Sequence, residues 1–341
     1  MTNNIPMGYV AFQRLKYIPV CARFQWINSE TVEKILSKFL KPPPKGRRGY
    51  DKVWLFRWLM YKQLTGHSYR DIESMTGVDY STFIKFRQRL IQKLFFPVIF
   101  KNLVKNIVLN LKEITLVIDS SFVETYSRKD EIGSEYFGYK EKNGFKVHQA
   151  IDYKTRLPLL QFSTPGARAD IVWGANLIRA APREWNVKGV LADKGYDADH
   201  FVHEIKLKWK KVKVGIPLRR LVYPGNWLNQ FLRRWPRSLN PKLLAKRTEI
   251  ERYFSRKKRV FKLSEERTRH LKNFRANCYL TSIMEILEWM SKLLVLFTRL
   301  ILRSIYISIC VLHTDLAHSD KYWRISGWLH YQEANRDFLI C

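Results

Sequence analysis

The chain has 341 residues, with 61 lysines and arginines against 30 aspartates and glutamates and a formal net charge of +31. An excess that large points to a polyanionic partner, most simply nucleic acid, whose binding gains from counterion release. The four cysteines (Cys21, Cys278, Cys310, Cys341) contain no Cys-x-x-Cys pair, which excludes a zinc ribbon or a disulfide framework and fits a reducing cytoplasm.

Residues 1–45 read as a poorly patterned arm in which Arg14, Lys16 and Arg23 interrupt every apolar stretch, so no signal-peptide core is expected. The arm ends in Lys41-Pro-Pro-Pro-Lys-Gly-Arg-Arg48, a stiff basic linker. From 46 to 112 the pattern is helical. Val53–Leu64 is apolar all along; Ser68–Met75, the turn Thr76-Gly77-Val78 and a helix from Tyr80 to Leu94 capped by Asp79 or Ser81 draw a helix-turn-helix outline. Ile72, Val78, Phe83 and Phe86 fall where such a unit buries side chains, leaving Lys85, Arg87 and Arg89 to face DNA.

Residues 113–290 alternate in period. Strands are expected at Ile114–Ile118, Phe145–Ile151 and Leu157–Phe162, then helix Asp170–Ala180, strand Val187–Ala192, helix Asp197–Lys208 and strand Val212–Ile216. Three meandering strands followed by αβαβ and a last helix is the order of a ribonuclease H-like α/β fold, a mixed sheet flanked by helices. Residues 219–245 interrupt that order. Their stripe Trp227, Leu228, Phe231, Leu232, Trp235 is read as core, although aromatics among Arg219, Arg220, Arg233, Arg234 and Arg237 could also stack on bases. From Ile205 to Lys262 there are 19 lysines and arginines and only Glu249 and Glu251 as acids, a local charge of +17. The tail, 291–341, has an apolar stretch from Lys292 to Leu312, but Arg299 and Arg303 argue against a membrane span, and a helix pair is expected.

Three carboxylates stand where metal-dependent phosphoryl transfer needs them. Asp119 closes the first apolar strand, Asp193 follows Val190-Leu-Ala192, and Glu251 sits in the last helix. Any one aspartate after a strand is most often a turn or cap residue. On the last helix Arg247, Glu251 and Lys258 share a face, with Arg247 and Glu251 at i, i+4.

Four stretches together resemble the signature blocks of DDE-class insertion-sequence transposases: Val117-Ile-Asp-Ser-Ser121, Gly144-Phe-Lys-Val-His-Gln-Ala-Ile-Asp152, Ala192-Asp-Lys-Gly-Tyr196 and Arg247-Thr-Glu-Ile-Glu-Arg-Tyr-Phe254. The family's third block, Tyr-x2-Arg-x3-Glu-x6-Lys, is met at Arg247, Glu251 and Lys258, while Leu244 holds the tyrosine position. The resemblance implies that Asp119, Asp193 and Glu251 are catalytic and hold two Mg²⁺ ions, with Mn²⁺ as a substitute, and that Arg247 and Lys258 hold DNA phosphates. It places Asp170 and His148 in support of the site, with Lys146 toward DNA. The expected protein is a cytoplasmic, nucleoid-associated transposase, acting on terminal inverted repeats and target DNA as a homodimer and away from membranes. A ribonuclease H-like nuclease, or a decayed DNA-binding derivative, is the alternative.

Overall fold

A segment apolar on every face can only be buried on every face. In the computed structural model, which describes residues 18–41, 49–125, 132–219, 227–235, 237–265 and 269–317, Val53–Leu64 lies within such a helix. The arm before it is more ordered than its pattern suggests. A 3₁₀ turn, Ala22–Asn28, leads into α1, Glu30–Phe39, whose Ser29 cap accepts from the Val32 amide and whose Val32 and Leu36 are buried. The Pro-rich linker at 42–48 lies outside the described residues.

Helix α2, Lys52–Thr65, starts at the Asp51 cap and stops at Gly66 (φ +77°). Ten of its fourteen residues are buried, including Trp54, Phe56 and Trp58, and each large apolar side chain contributes roughly 1.5–3 kcal/mol. Helix α3, Tyr69–Thr76, opens with a Ser68/Asp71 capping box and ends at Gly77 (φ +69°). Helix α4, Tyr80–Gln92, starts at Asp79. Ile72, Val78, Phe83 and Phe86 are buried, as a helix-turn-helix packing unit requires. Helix α5, Phe95–Leu109, closes this part.

The sheet follows. Strands β1 (Ile114–Glu124), β2 (Glu135–Phe137), β3 (Lys142–Asp152) and β4 (Pro158–Pro165) are antiparallel neighbours, with β3 pairing β1 on one side and β2 and β4 on the other. Helix α6 (Asp170–Ala180), strand β5 (Val187–Ala192), helix α7 (Asp199–Lys208) and strand β6 (Lys213–Gly215) then add two strands parallel to β1. The order β2-β3-β1-β5-β6 is the mixed, ribonuclease H-like sheet expected, with helices on its faces.

Within the interrupting residues lie α8 (Trp227–Arg234) and α9 (Pro241–Ala245). Helix α10, Thr248–Arg259, lays Ile250, Tyr253 and Phe254 on Val117, Val123, Phe145 and Val147 of the sheet. The last helix, α11, runs unbroken from Leu271 to Ala317, where a helix pair was expected. No glycine or proline occurs in that span to interrupt it. The chain falls into two compact units, Met1–Trp289 and Met290–Cys341. Among the described residues no helix is long and apolar enough to cross a membrane.

Candidate active site

Strand β1 does two jobs in succession. Up to Ile118 it is buried and pairs with β5, the last parallel register being Ile118↔Ala192. Beyond that point β5 ends and β1 continues on β3 alone, Asp119↔Gln149 being the next pair. Asp119 is therefore not at the end of its strand but where the parallel pairing stops. Asp193, the next residue after β5, stands in the matching place beside it, at the carboxyl ends where open α/β sheets form their sites.

The electrostatics agree with that placement. Burial first, then the Asp193 and Asp170 carboxylates, push the Asp119 carboxyl up to about 7 against the pull of the Ser120 amide (2.7 Å) and of Arg247. The turn after Asp193 is built around its side chain: Oδ1 accepts from the Gly195 amide at 2.5 Å. A Cβ at Gly195 would lie 2.6 Å from that same oxygen, which is why glycine stands in the Asp-Lys-Gly-Tyr block. Tyr196 is buried, and burial together with Asp119, Asp170 and Asp193 raises its pKa well above the ordinary tyrosine value, so its hydroxyl stays protonated.

Asp170, at the start of α6, accepts from Ser120 Oγ (2.7 Å) and Lys146 Nζ (3.0 Å). Lys146 is buried and also donates to the Arg168 carbonyl (3.0 Å), so the expected DNA contact is corrected: its charge is spent on Asp170. His148 Nε2 is 2.9 Å from Thr164 Oγ1, and its Nδ1 lies 3.6 Å from Asp170. Burial pulls the His148 pKa down to about 4, so at neutral pH the ring is uncharged and makes no ion pair there. Both residues are buried rather than facing solvent, and of the two only Lys146 bonds to Asp170.

Glu251 projects from the exposed side of α10, where Arg247 Nη2 approaches it at 3.9 Å. The carboxylate is not gathered with the aspartates: among the described residues no three His, Cys, Asp or Glu side chains stand close enough to hold a metal ion. Helix α10 nonetheless packs on the sheet face that carries Val117 and Val123, the alternation that also carries Asp119. Lys258, two turns beyond Glu251, donates to the Phe122 carbonyl (2.9 Å), and burial, then Lys140, lowers its pKa.

A profile described as Transposase DDE domain matches residues 110–285, that is 176 of the 341 residues. The chain belongs to that family. No curated protein matches it. The DDE domain thus covers the whole sheet, both aspartates, Glu251 and the first turns of α11. Membership makes the protein a transposase-type enzyme acting on DNA, in a family that uses divalent metals.

Three features escaped the sequence reading. Arg87 is buried, donating to Asn277 Oδ1 (2.7 Å) and the Asn273 carbonyl (3.1 Å), and so cannot face DNA; Lys85 and Arg89 on the same helix are exposed. The Trp227–Trp235 stripe is not core: Trp227 is 77% and Trp235 76% exposed. Three of the arginines around it, Arg219, Arg233 and Arg237, are instead engaged within the molecule. Arg233 and Arg237 (2.8 Å) bind the buried Asp197, while Arg219 Nε and Nη2 reach the Lys194 and Gly195 carbonyls, each at 2.7 Å. That clamp holds the turn that carries Asp193. The density of arginine in 219–245 was the visible signal, but its target was not.

Proposed function

We propose that the chain is a DNA transposase that binds the terminal inverted repeats of its own insertion sequence, cleaves to free 3′-OH ends, and joins those ends to target DNA. The observation that carries this reading is the placement of Asp119 and Asp193 side by side where adjacent parallel strands part, close enough for the Asp193 carboxylate to oppose ionisation of Asp119. Two carboxylates with Asp170 behind them are a hard oxygen-donor set with excess negative charge, which fits divalent cations of the Mg²⁺ or Mn²⁺ kind. Asp119, Asp193 and Glu251 are the residues that would hold two such ions, Glu251 by turning inward from the face it shares with Arg247. When bound, these ions supply activation of the attacking oxygen and stabilisation of the leaving oxygen.

The protein groups do the rest. Arg247, beside Asp119, and Lys258, on the same helix face, position the phosphates flanking the reacting bond. Tyr196, buried beside the same carboxylates, keeps its proton and adds no further negative charge to the site. Asp170, tied to Ser120 and Lys146, fixes the floor of the site. Lys85 and Arg89 present the exposed side of α4 to the element's ends, and two protomers hold the two ends. Such a protein works in the cytoplasm on the nucleoid.

The test is an assay on duplexes carrying the inverted repeats that flank the gene, with Mg²⁺ and with Mn²⁺. Nicking at the repeat boundary followed by joined products is the expected result, and Asp193→Ala should shift the same DNA without cutting it. Cutting without joining would make the protein a nuclease on this fold. Near-native cutting by Asp193→Ala would overturn the site.

A further inference from the structure

A groove of about 810 Å³ opens along the solvent side of α10. Its lining runs from Glu251 through Arg252, Arg256 and Arg259 to Lys262, with Arg23 of the first 3₁₀ turn on the opposite wall: five cations and one acid. The guanidinium groups are held in place with donors to spare. Arg256 is fixed by Glu288 (2.6 Å) over the ring of Phe261 (5.0 Å), Arg259 reaches Ser255 Oγ (2.6 Å), and Arg23 lies over Phe24 (5.6 Å). Each guanidinium carries five N–H donors, so one or two internal bonds leave most of the fork open. Gln63 Nε2 donates to the Phe261 carbonyl (2.9 Å), tying the far end of the groove to α2.

The direction of α10 gives the groove its meaning. The helix starts at Arg247, which acts on Asp119; Glu251 follows one turn later, and the row of arginines continues from there. Eight residues from Glu251 to Arg259 rise about 12 Å. The rise of about 3.4 Å per nucleotide is measured along the duplex axis, and successive phosphates of the winding strand lie further apart than that, so the length matches about two or three phosphates.

We propose that this groove holds about two or three consecutive phosphates of a DNA strand and leads that strand to the carboxylate site. The inference deepens the transposase reading and rests on it for what happens at the Glu251 end, but the binding itself does not depend on catalysis. A duplex carries an unbroken backbone past such a row, and the contacts are to phosphate, so they set affinity and register without setting sequence.

The experiment uses the full chain and a labelled repeat-end duplex across a salt series. Arg23→Gln/Arg259→Gln should bind about tenfold more weakly, with the salt slope reduced by about two units as two phosphate contacts are lost. Arg252→Gln/Lys262→Gln is the second pair, should the first melt early, and Lys101→Gln/Lys105→Gln on α5 is the charge-matched control. Unchanged affinity and slope in both groove pairs would overturn the proposal. So would an equal loss in the control, which would mean only bulk charge matters. Loss of binding to a glutamate-rich peptide with DNA binding intact would assign the groove to an acidic protein segment and also overturn it. Asp193→Ala, run beside them, separates the two readings: cleavage that survives this variant while the groove pairs lose affinity sinks the active site and leaves the groove standing.

Discussion

Two carboxyl groups in this molecule are pushed up to about 7, both by burial first, and their surroundings are opposite. Around Asp119 the Ser120 amide and Arg247 pull it down, but the two acidic neighbours, Asp193 and Asp170, both raise it further. Around Glu285 of α11 the neighbours are Lys257, Tyr253 and Arg256, and all pull it down; Glu288 is the one that pushes it up. Glu285 belongs to a closed network: Tyr253 OH donates to it at 2.7 Å, and the buried Lys257 Nζ reaches that same hydroxyl (3.1 Å), Gln149 (3.0 Å) and Ser282 (2.6 Å). A raised carboxyl is therefore not in itself a sign of a working site. The sign of the neighbours decides. The carboxylates around Asp119 reinforce one another's charge, which suits the cation proposed above, whereas the Glu285 region has been balanced by the protein and locks α10 to α11.

The sharpest way to break this comparison is at Asp119. Asp119→Asn should lower cleavage by about 10³-fold or more, as loss of a group that stabilises developing charge does, while repeat-end DNA is still bound. In the same variant Mg²⁺ should no longer raise the melting temperature, as it should for the native chain, because a ligand stabilises only the state that binds it. Calorimetric titration of Mg²⁺ without DNA reads the same difference with no activity involved. A native-size Mg²⁺ response in Asp119→Asn would place the cation elsewhere.

The closed region should respond in stability instead. Lys257→Met leaves Glu285 buried without its cationic counterpart, and breaking a buried charge arrangement from one side costs about 3–5 kcal/mol. Lys257→Met/Glu285→Leu should recover most of that loss, since replacing both sides by apolar groups removes the stranded charge. Urea unfolding midpoints measure both. Cleavage per folded molecule should stay near native. A Lys257→Met protein of native stability that had lost its cleavage would place Lys257 in the chemistry and dissolve the contrast.

What was legible in the sequence follows from range. Helix Asp170–Ala180 and strand Val187–Ala192 are readable to the residue because their own periodicity and flanking breaks define them. The cap at Asp79 and the turn at Gly77 are local chemistry too. The continuation of β1 to Glu124 is not local: Ser120 to Glu124 look polar and loop-like, and they are strand only because β3 pairs with them. Arg87 looked like its neighbours Lys85 and Arg89 until Asn273 and Asn277, some 190 residues away, were brought to it. The stripe at Trp227–Trp235 has the period of a buried face, and period alone says a helix is amphipathic, not what covers it. For the candidate site, the order of blocks pointed to Asp119 and Asp193, which the pairing of β1 with β5 sets side by side, whereas the outward position of Glu251 and the Asp197 clamp depend on how α10 and the interrupting residues pack.

The smallest effect is a pH dependence, and its sign separates the two regions again. Glu285 holds its proton to about 7 in the folded chain against an ordinary value of 4.5, so its contribution to stability is full below 4.5 and is lost as pH rises through 7. Asp119, raised from 3.8 to about 7, acts in the same sense. His148, lowered from 6.5 to about 4, works in the opposite sense, mainly below 6.5 and fading above it, so over pH 6.5–8 the two carboxyls together set the sign. In that window the native chain should lose stability with rising pH, by no more than about 1.4 kcal/mol per pH unit for each group. Glu285→Gln and Asp119→Asn should each flatten part of that slope in metal-free buffer. Added Mg²⁺ should remove the Asp119 part, because a bound cation favours the ionised carboxylate. The Glu285 part should remain, since Lys257, Tyr253 and Arg256 already surround it and the region is closed. Melting curves of the native chain and both variants, with and without Mg²⁺, carry the comparison. A slope equally abolished by Mg²⁺ in native and Asp119→Asn chains would show that the cation reaches the Glu285 network and that the two regions are not distinct.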